Sequence, residues 1–320
     1  MKLYKKAAAC LLTAAMAISM LTACGGGGNG GNGGNGGNGG GNTPSPLPNN
    51  PDQIVLPDID EGGGEGTGTK PTKTPIIDVN NSKLAQFSKK YAGATEFYVE
   101  MQEVDYGKDG SVARSIDGRA ARKGENCYVS MATLGKNNKK QLIETLMLKN
   151  KSTWDQYLLL RSSKVAIKAR SEDDINLSLS SLIANKQPTQ MWSTEIKVGP
   201  TKYYAEVYKY YSYEYTTCFT ADGKPVYQFV RDLNEKQLNS ATLYKTIQAG
   251  SGTSKGLCAL PTGTKTYTFN ENNTLTDAKG NVFTLKEDGT AGIKVYDQAG
   301  NEVTDDFKWL TDFFKMMSGQ

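Results

Sequence analysis

The 320-residue chain contains no histidine. That absence excludes Ser-His-Asp and Cys-His catalysis, an HExxH zinc site and any imidazole proton shuttle. No Ser-x-x-Lys occurs either, which removes the usual histidine-free serine acyl-enzyme. Gly252-Thr253-Ser254-Lys255-Gly256 matches the G-x-S-x-G pattern, but it has no imidazole base and lies in a Gly/Ser stretch, so we read it as coincidence. Net charge is also small, with 37 basic against 33 acidic residues. The densest basic spots, Lys89-Lys90 and Lys139-Lys140, are too short for a nucleic-acid footprint. Asp105 could open a calcium loop, but Gly107 stands at its third position and Ile116 at its twelfth, where a glutamate is needed. The cysteines lack the close paired spacing of a zinc site. We therefore expect neither metal nor cofactor. Paired carboxylates could still serve a glycosidase. Asp173-Asp174 and Asp305-Asp306 are better read as charges in the first turns of helices, where the dipole favours them. The expectation is a non-enzymatic protein. Alternating βαβ units are missing too, which argues against an importer's solute-binding protein.

Met1-Lys2-Leu3-Tyr4-Lys5-Lys6 is a basic leader, and Ala7 to Met20 is an apolar run shorter than the roughly 20 residues that span a bilayer. The run ends in Leu21-Thr22-Ala23-Cys24, followed by glycine. This stretch resembles the lipobox of bacterial lipoprotein precursors. The resemblance implies a signal peptide over residues 1–23 and a diacylglycerol thioether on Cys24 as the first mature residue. It also implies attachment to the extracytoplasmic face of the cell membrane. A plain secretory signal with Cys24 incidental is the alternative. Removing Lys2, Lys5 and Lys6 with the signal leaves the mature chain close to neutral.

Residues 24–75 read as a tether. Gly25 to Asn42 holds only glycine and asparagine, with no apolar surface to offset an ordering cost of roughly 1 to 2 kcal/mol per residue. Pro44, Pro46, Pro48, Pro51, Pro57, Pro71 and Pro75 stiffen the remainder. Such a tether would average on the order of 40 Å end to end and stretch to on the order of 150 Å. Ile54-Val55-Leu56 is its one apolar island, a docking spot or a chance patch in a linker. Gly/Asn tethers of this kind behind a lipobox look Gram-positive.

Residues 76–250 read as an antiparallel sheet with helices. Asn81 or Ser82 caps a helix whose apolar positions are Leu84, Phe87 and Tyr91. The period then changes to two, with Phe97, Val99 and Met101 on one face of a strand. Turns at Gly107 to Gly110 and Lys123 to Asn126 make a meander that continues through Gln141 to Leu148 and Thr153 to Arg170. Leu158-Leu159-Leu160 fits either a strand buried on both faces or a helix. Ser171, followed by Glu172, Asp173 and Asp174, looks like a helix start. Ile175, Leu179, Leu182 and Ile183 would be its apolar face and Gln187-Pro188 its end. Strands follow from Glu195 to Arg231, dense in tyrosine. Tyr203, Ala205, Val207 and Tyr211 would share one face, and Tyr204, Glu206, Tyr208 and Tyr210 the other. Tyrosine there is either a good strand former or a binding surface.

Gly250 to Gly256 marks the boundary to a small module over residues 251–320, with turn signals at Asn272-Asn273, Lys279-Gly280-Asn281, Asp288-Gly289 and Ala299-Gly300-Asn301. Thr304 would cap a final helix with Phe307, Leu310, Phe313, Phe314 and Met317 on one face. We expect that face to dock on the sheet. The fold class is thus α+β, a curved antiparallel sheet with a few helices plus a small C-terminal β module.

This order of elements behind a lipobox, over roughly Ser82 to Arg231, resembles the LolA/LppX-like half-barrel lipoproteins. The resemblance implies a curved sheet and a helical lid around an apolar cavity for lipid or acyl chains. Phe97, Val99, Met101, Tyr203 and Tyr211 are the residues we place in or near such a cavity. The alternative is a surface module that contacts a protein or glycan through its tyrosine strands or last helix. Cys127, Cys218 and Cys258 remain after processing. A Cys127–Cys218 disulfide and three buried free thiols are both open.

Overall fold

The computed structural model describes Pro46, Leu47, Ile54 and Leu56, and residues 75–318 apart from 135–139, 173–176, 184–187, 271 and 289–291. The signal, Leu21, Thr22, Ala23, Cys24, the Gly/Asn repeat and Ile175 lie outside the described residues.

The described strands form one large, open, curved sheet. Ile76–Ile77 (β1) leads through a 3-10 turn into the helix Lys83–Tyr91 (α1). The meander follows: Glu96–Tyr106 (β2), Val112–Lys123 (β3), Asn126–Leu134 (β4), Lys140–Asn150 (β5), Thr153–Leu160 (β6) and Val165–Glu172 (β7). A short helix, Leu179–Ile183 (α2), separates it from Met191–Val198 (β8), Thr201–Tyr210 (β9), Tyr213–Phe219 (β10), Pro225–Asp232 (β11) and Gln237–Ala249 (β12). Lys265–Asn270 (β13), Thr274–Asp277 (β14), Val282–Glu287 (β15), Ile293–Tyr296 (β16) and the helix Lys308–Ser318 (α3) complete the chain. The spatial order is β1-β8-β9-β10-β11-β12-β2-β3-β4-β5-β6-β7-β13-β14-β15-β16. The pairing of β12 with β2, from Ser240↔Asp105 to Ala249↔Phe97, joins the two meanders.

The structure decides several of these expectations, and the helix start at Ser171 and the cap at Thr304 are corrected. Ser171 and Glu172 do not start a helix, because they pair with Asp155 and Trp154 in the β6–β7 ladder. The helix begins later, where Ser178 and Ser181 cap reciprocally: each hydroxyl accepts the other residue's backbone N–H at 3.0 Å. The Leu158 run is strand, with Leu158 and Leu159 buried on opposite faces. The C-terminal strands continue the main sheet, since β13 pairs with β7, and that join is parallel. In the stretch read as a boundary, Ser254 is buried and its hydroxyl donates to Glu96 Oε1 at 2.6 Å. Thr304 opens a 3-10 turn ahead of α3, and its hydroxyl accepts the Val295 N–H at 3.1 Å rather than capping.

Strand alternation divides the core between two faces. One face carries the helices: α1 and α2 over β8 to β12 and β2 to β5, and α3 over β6, β7 and the C-terminal strands. Phe307, Leu310, Phe313 and Phe314 seat α3 on Leu158, Ile167 and Val295, as the sequence led us to expect. At about 1.5 to 3 kcal/mol per large side chain, this is a gross stabilisation of roughly 8 kcal/mol. The opposite face is covered by Leu257, Cys258 and Leu260 over Tyr128, Leu146 and Ala166, and by Leu47 and Ile54 over β8 to β12.

Candidate functional site

The helix-bearing face under α1 and α2 is built from alternate residues of nine neighbouring strands, β8 through β12 and β2 through β5. Phe97, Val99 and Met101 lie together there, with Phe97 and Val99 0% exposed. They share the face with Met131, Met147 and Met191. Met131, Met147 and Met191 were not singled out from sequence; the β2–β3–β4–β5 register, Met101↔Gly118↔Met131 and Cys127↔Met147, puts Met131 and Met147 on the face that Phe97 marks. Thioether side chains are unbranched and polarizable, so they fill irregular space and re-pack easily.

Tyr203 and Tyr211 do not join this group. Tyr203 lies on the opposite face, edge-on to Tyr227 with centroids 5.4 Å apart. Tyr211 sits in the β9–β10 turn at φ 53° and is 85% exposed. Two-residue alternation places Tyr204, Tyr208 and Tyr210 of β9 on the helix side, with Tyr213 and Tyr215 of β10 opposite them. Tyr208 and Tyr215 stack there at 5.1 Å and 8°.

The helices are held at their ends by polar groups from the sheet. Ser82 caps α1, its hydroxyl accepting the Ala85 N–H at 3.0 Å. Glu206 of β9, 0% exposed, completes the cap: Oε1 accepts the Lys83 N–H at 2.6 Å and Oε2 the Leu84 N–H at 2.9 Å. A carboxylate at a helix N-terminus meets the orphan donors and the positive end of the dipole. The Tyr204 hydroxyl donates to the same Oε1 at 3.2 Å, and Lys83 Nζ lies 4.8 Å from the Tyr204 ring. At α2, Gln228 Nε2 donates to Ile183 O at 3.3 Å, and Arg122 donates to Leu177 O at 3.0 Å just before the helix. The two helices thus have polar contacts to the sheet at their ends and an apolar, methionine-bearing core beneath them.

Between these two helices and α3, the floor passes from one core cluster to the other. Met131 of the first pairs with half-buried Ile143 of the second, and half-buried Leu160 lies beside them, next to the Glu144↔Leu159 pair. A separate open notch of about 320 Å³ is lined by Glu302, Val303, Thr304, Asp305 and Asp306. Its three carboxylates suit no apolar ligand. Among the described residues, no group of Cys, Asp or Glu is arranged to hold a metal ion.

A Cys127–Cys218 disulfide is excluded. Cys127 lies on the helix-bearing face of β4 and Cys218 on the opposite face of β10, with four strands between them in the sheet. At about 4.8 Å per strand the separation is on the order of 24 Å, whereas a disulfide needs Cα atoms within about 7 Å. Cys127, Cys218 and Cys258 are all buried free thiols. Burial pushes Cys127 up to about 11 and Cys218 and Cys258 to about 12. Residues 25–320 treated with iodoacetamide at pH 8 should therefore stay unlabelled while folded and take up three labels in denaturant. Labelling of only one thiol in denaturant without reductant would show a disulfide.

No family model and no curated protein match this chain. Several solved structures are similar to part of this chain, at low identity and low TM-score. A conserved protein from Thermus thermophilus is 9% identical, with 58% of this chain and 96% of that one covered and a TM-score of 0.33. A domain named for outer-membrane lipoprotein sorting, from Vibrio parahaemolyticus, is 10% identical, with 55% and 94% covered and a TM-score of 0.27. A DUF1329 family protein from Desulfovibrio piger is 12% identical, with 55% and 94% covered and a TM-score of 0.26.

Proposed function

We propose that this chain is a lipid-anchored, extracytoplasmic, non-enzymatic protein that carries an apolar or amphiphilic ligand on the helix-bearing face of its sheet. The observation that carries this reading is the lid: two short helices, tied to the sheet by Glu206, Gln228 and Arg122 at their ends, over a face that presents four methionines. Lifting the helices breaks a few rim hydrogen bonds and uncovers Leu84, Phe87, Leu179, Leu182 and Ile183, while the ladders beneath stay paired; an acyl chain would offset that loss by taking their place on the face. The methionines then re-pack around an acyl chain at low cost. Cys24 would hold the protein to the membrane that supplies the ligand. An acyl chain would enter beside Ile143 and Leu160, where the two helical covers leave the floor half-buried.

Native mass spectrometry of residues 25–320, before and after lipid extraction, tests this reading. A bound species of lipid mass that extraction removes, and that returns with phospholipid vesicles, is the expected result. A clean apo mass that vesicles leave unchanged would overturn it.

A further inference from the structure

The apolar island in the tether is not free in the structure. Ile54 forms an antiparallel bridge to Val198 of β8, on the side of that strand away from β9, and is 6% exposed. Leu47 is 8% exposed, and Leu56 packs half-buried beside them. Their neighbours are Val104, Tyr106, Ile196, Phe229 and Leu243 of the sheet's outer face. At the other end of β8 the chain returns: Pro75 O accepts the Ser193 N–H at 2.9 Å, and Ile76 pairs with Trp192. Sequence favours this attachment in two ways. Pro46 and Pro48 flank Leu47 and restrict the unbound chain, so docking removes less conformational freedom. Pro57 follows Leu56 and has no N–H to extend a ladder.

We propose that Leu47, Ile54 and Leu56 act as the contact points of a strap in cis, held on the outer face and the edge of β8, which divide the tether in two. Only residues 24–45 then separate the folded part from Cys24. With the anchor at Cys24, which belongs to the proposed function above, the stretched reach falls to about two-fifths of the whole tether's, from on the order of 150 Å to about 65 Å. Release of the strap restores the long reach and bares an apolar sheet face and a strand edge together. The docked strap also covers the edge against pairing with other chains. The docking itself does not depend on the lipid-carrier reading.

Hydrogen exchange on residues 25–320 tests the strap, with Leu47→Asp/Ile54→Asp as its variant. In the unaltered chain, the peptide containing Ile54 should exchange at least tenfold more slowly than the Gly/Asn repeat, at every protein concentration. The variant should bring it to the repeat's rate while the β2 peptide containing Val99 keeps its protection, which shows the sheet still folded. Equal rates for the Ile54 peptide and the repeat in the unaltered chain would overturn the proposal. So would protection that disappears on dilution, since the occupant would then be a second copy. Both results leave the ligand-binding test standing.

Discussion

Glu206→Ala should lower the unfolding free energy by about 3 kcal/mol, a fall of roughly 10 °C in Tm for a folded part of this size. Two backbone N–H groups, of Lys83 and Leu84, and the Tyr204 hydroxyl lose their shared acceptor; the Leu84 N–H is buried, whereas Tyr204 is 37% exposed and its hydroxyl can turn to water. Hydrogen bonds to a charged group contribute about 1.5 to 3 kcal/mol each, and orphaned donors keep the full desolvation penalty. Glu206→Gln retains one carbonyl oxygen but turns an NH2 toward a helix N–H, so its loss should be smaller but still measurable. Urea unfolding followed by circular dichroism gives both values. A loss below about 0.5 kcal/mol for the alanine variant would mean that the carboxylate does not hold the lid.

Arg231→Ala should be as damaging, and here the double variant should reverse the sign. Arg231 donates to Glu214 at 2.6 Å on the outer face, where the Glu214 side chain is 1% exposed and that of Arg231 16%. Removing the guanidinium leaves a carboxylate in a dry site, which costs about 3 to 5 kcal/mol. Replacing both groups, as in Glu214→Leu/Arg231→Met, removes the desolvation penalty with the attraction and should be neutral or stabilising by about 1 kcal/mol. Equilibrium unfolding of the single and double variants checks this. A double variant as unstable as the single one would show that the pair contributes net stability.

The first meander was legible because Phe97, Val99 and Met101 alternate with polar residues, and because turn signals fall at Gly107 to Gly110 and Lys123 to Asn126. The face of α3 was legible for the same reason, at helical spacing. β12 was not. Ala241 and Leu243 are buried on one face and Thr242 and Tyr244 on the other, so no polar face marks its period. Its partner β2 lies far away in sequence, and periodicity does not report long-range pairing. Ser171 misled because a capping residue followed by acids describes a helix start on local grounds, whereas ladder pairing with β6 decided the outcome. Of the expected site, Phe97, Val99 and Met101 were found together. Tyr203 was lost to strand parity, and Tyr211 to the hairpin turn. Glu206 was passed over because an acid among strand tyrosines reads as solvent-facing. Its role exists only once α1 is laid over the sheet.

The central claim is that a ligand seats beneath α1 and α2, and the most direct measurement is photo-cross-linking with a fatty acid that carries a diazirine along its chain. Digestion and mass spectrometry of the cross-linked protein should place the adducts on helix-face residues such as Met131, Ile143 and Met147, and an excess of unlabelled lipid should suppress them. Adducts confined to exposed positions such as Tyr211, unaffected by competing lipid, would contradict the account.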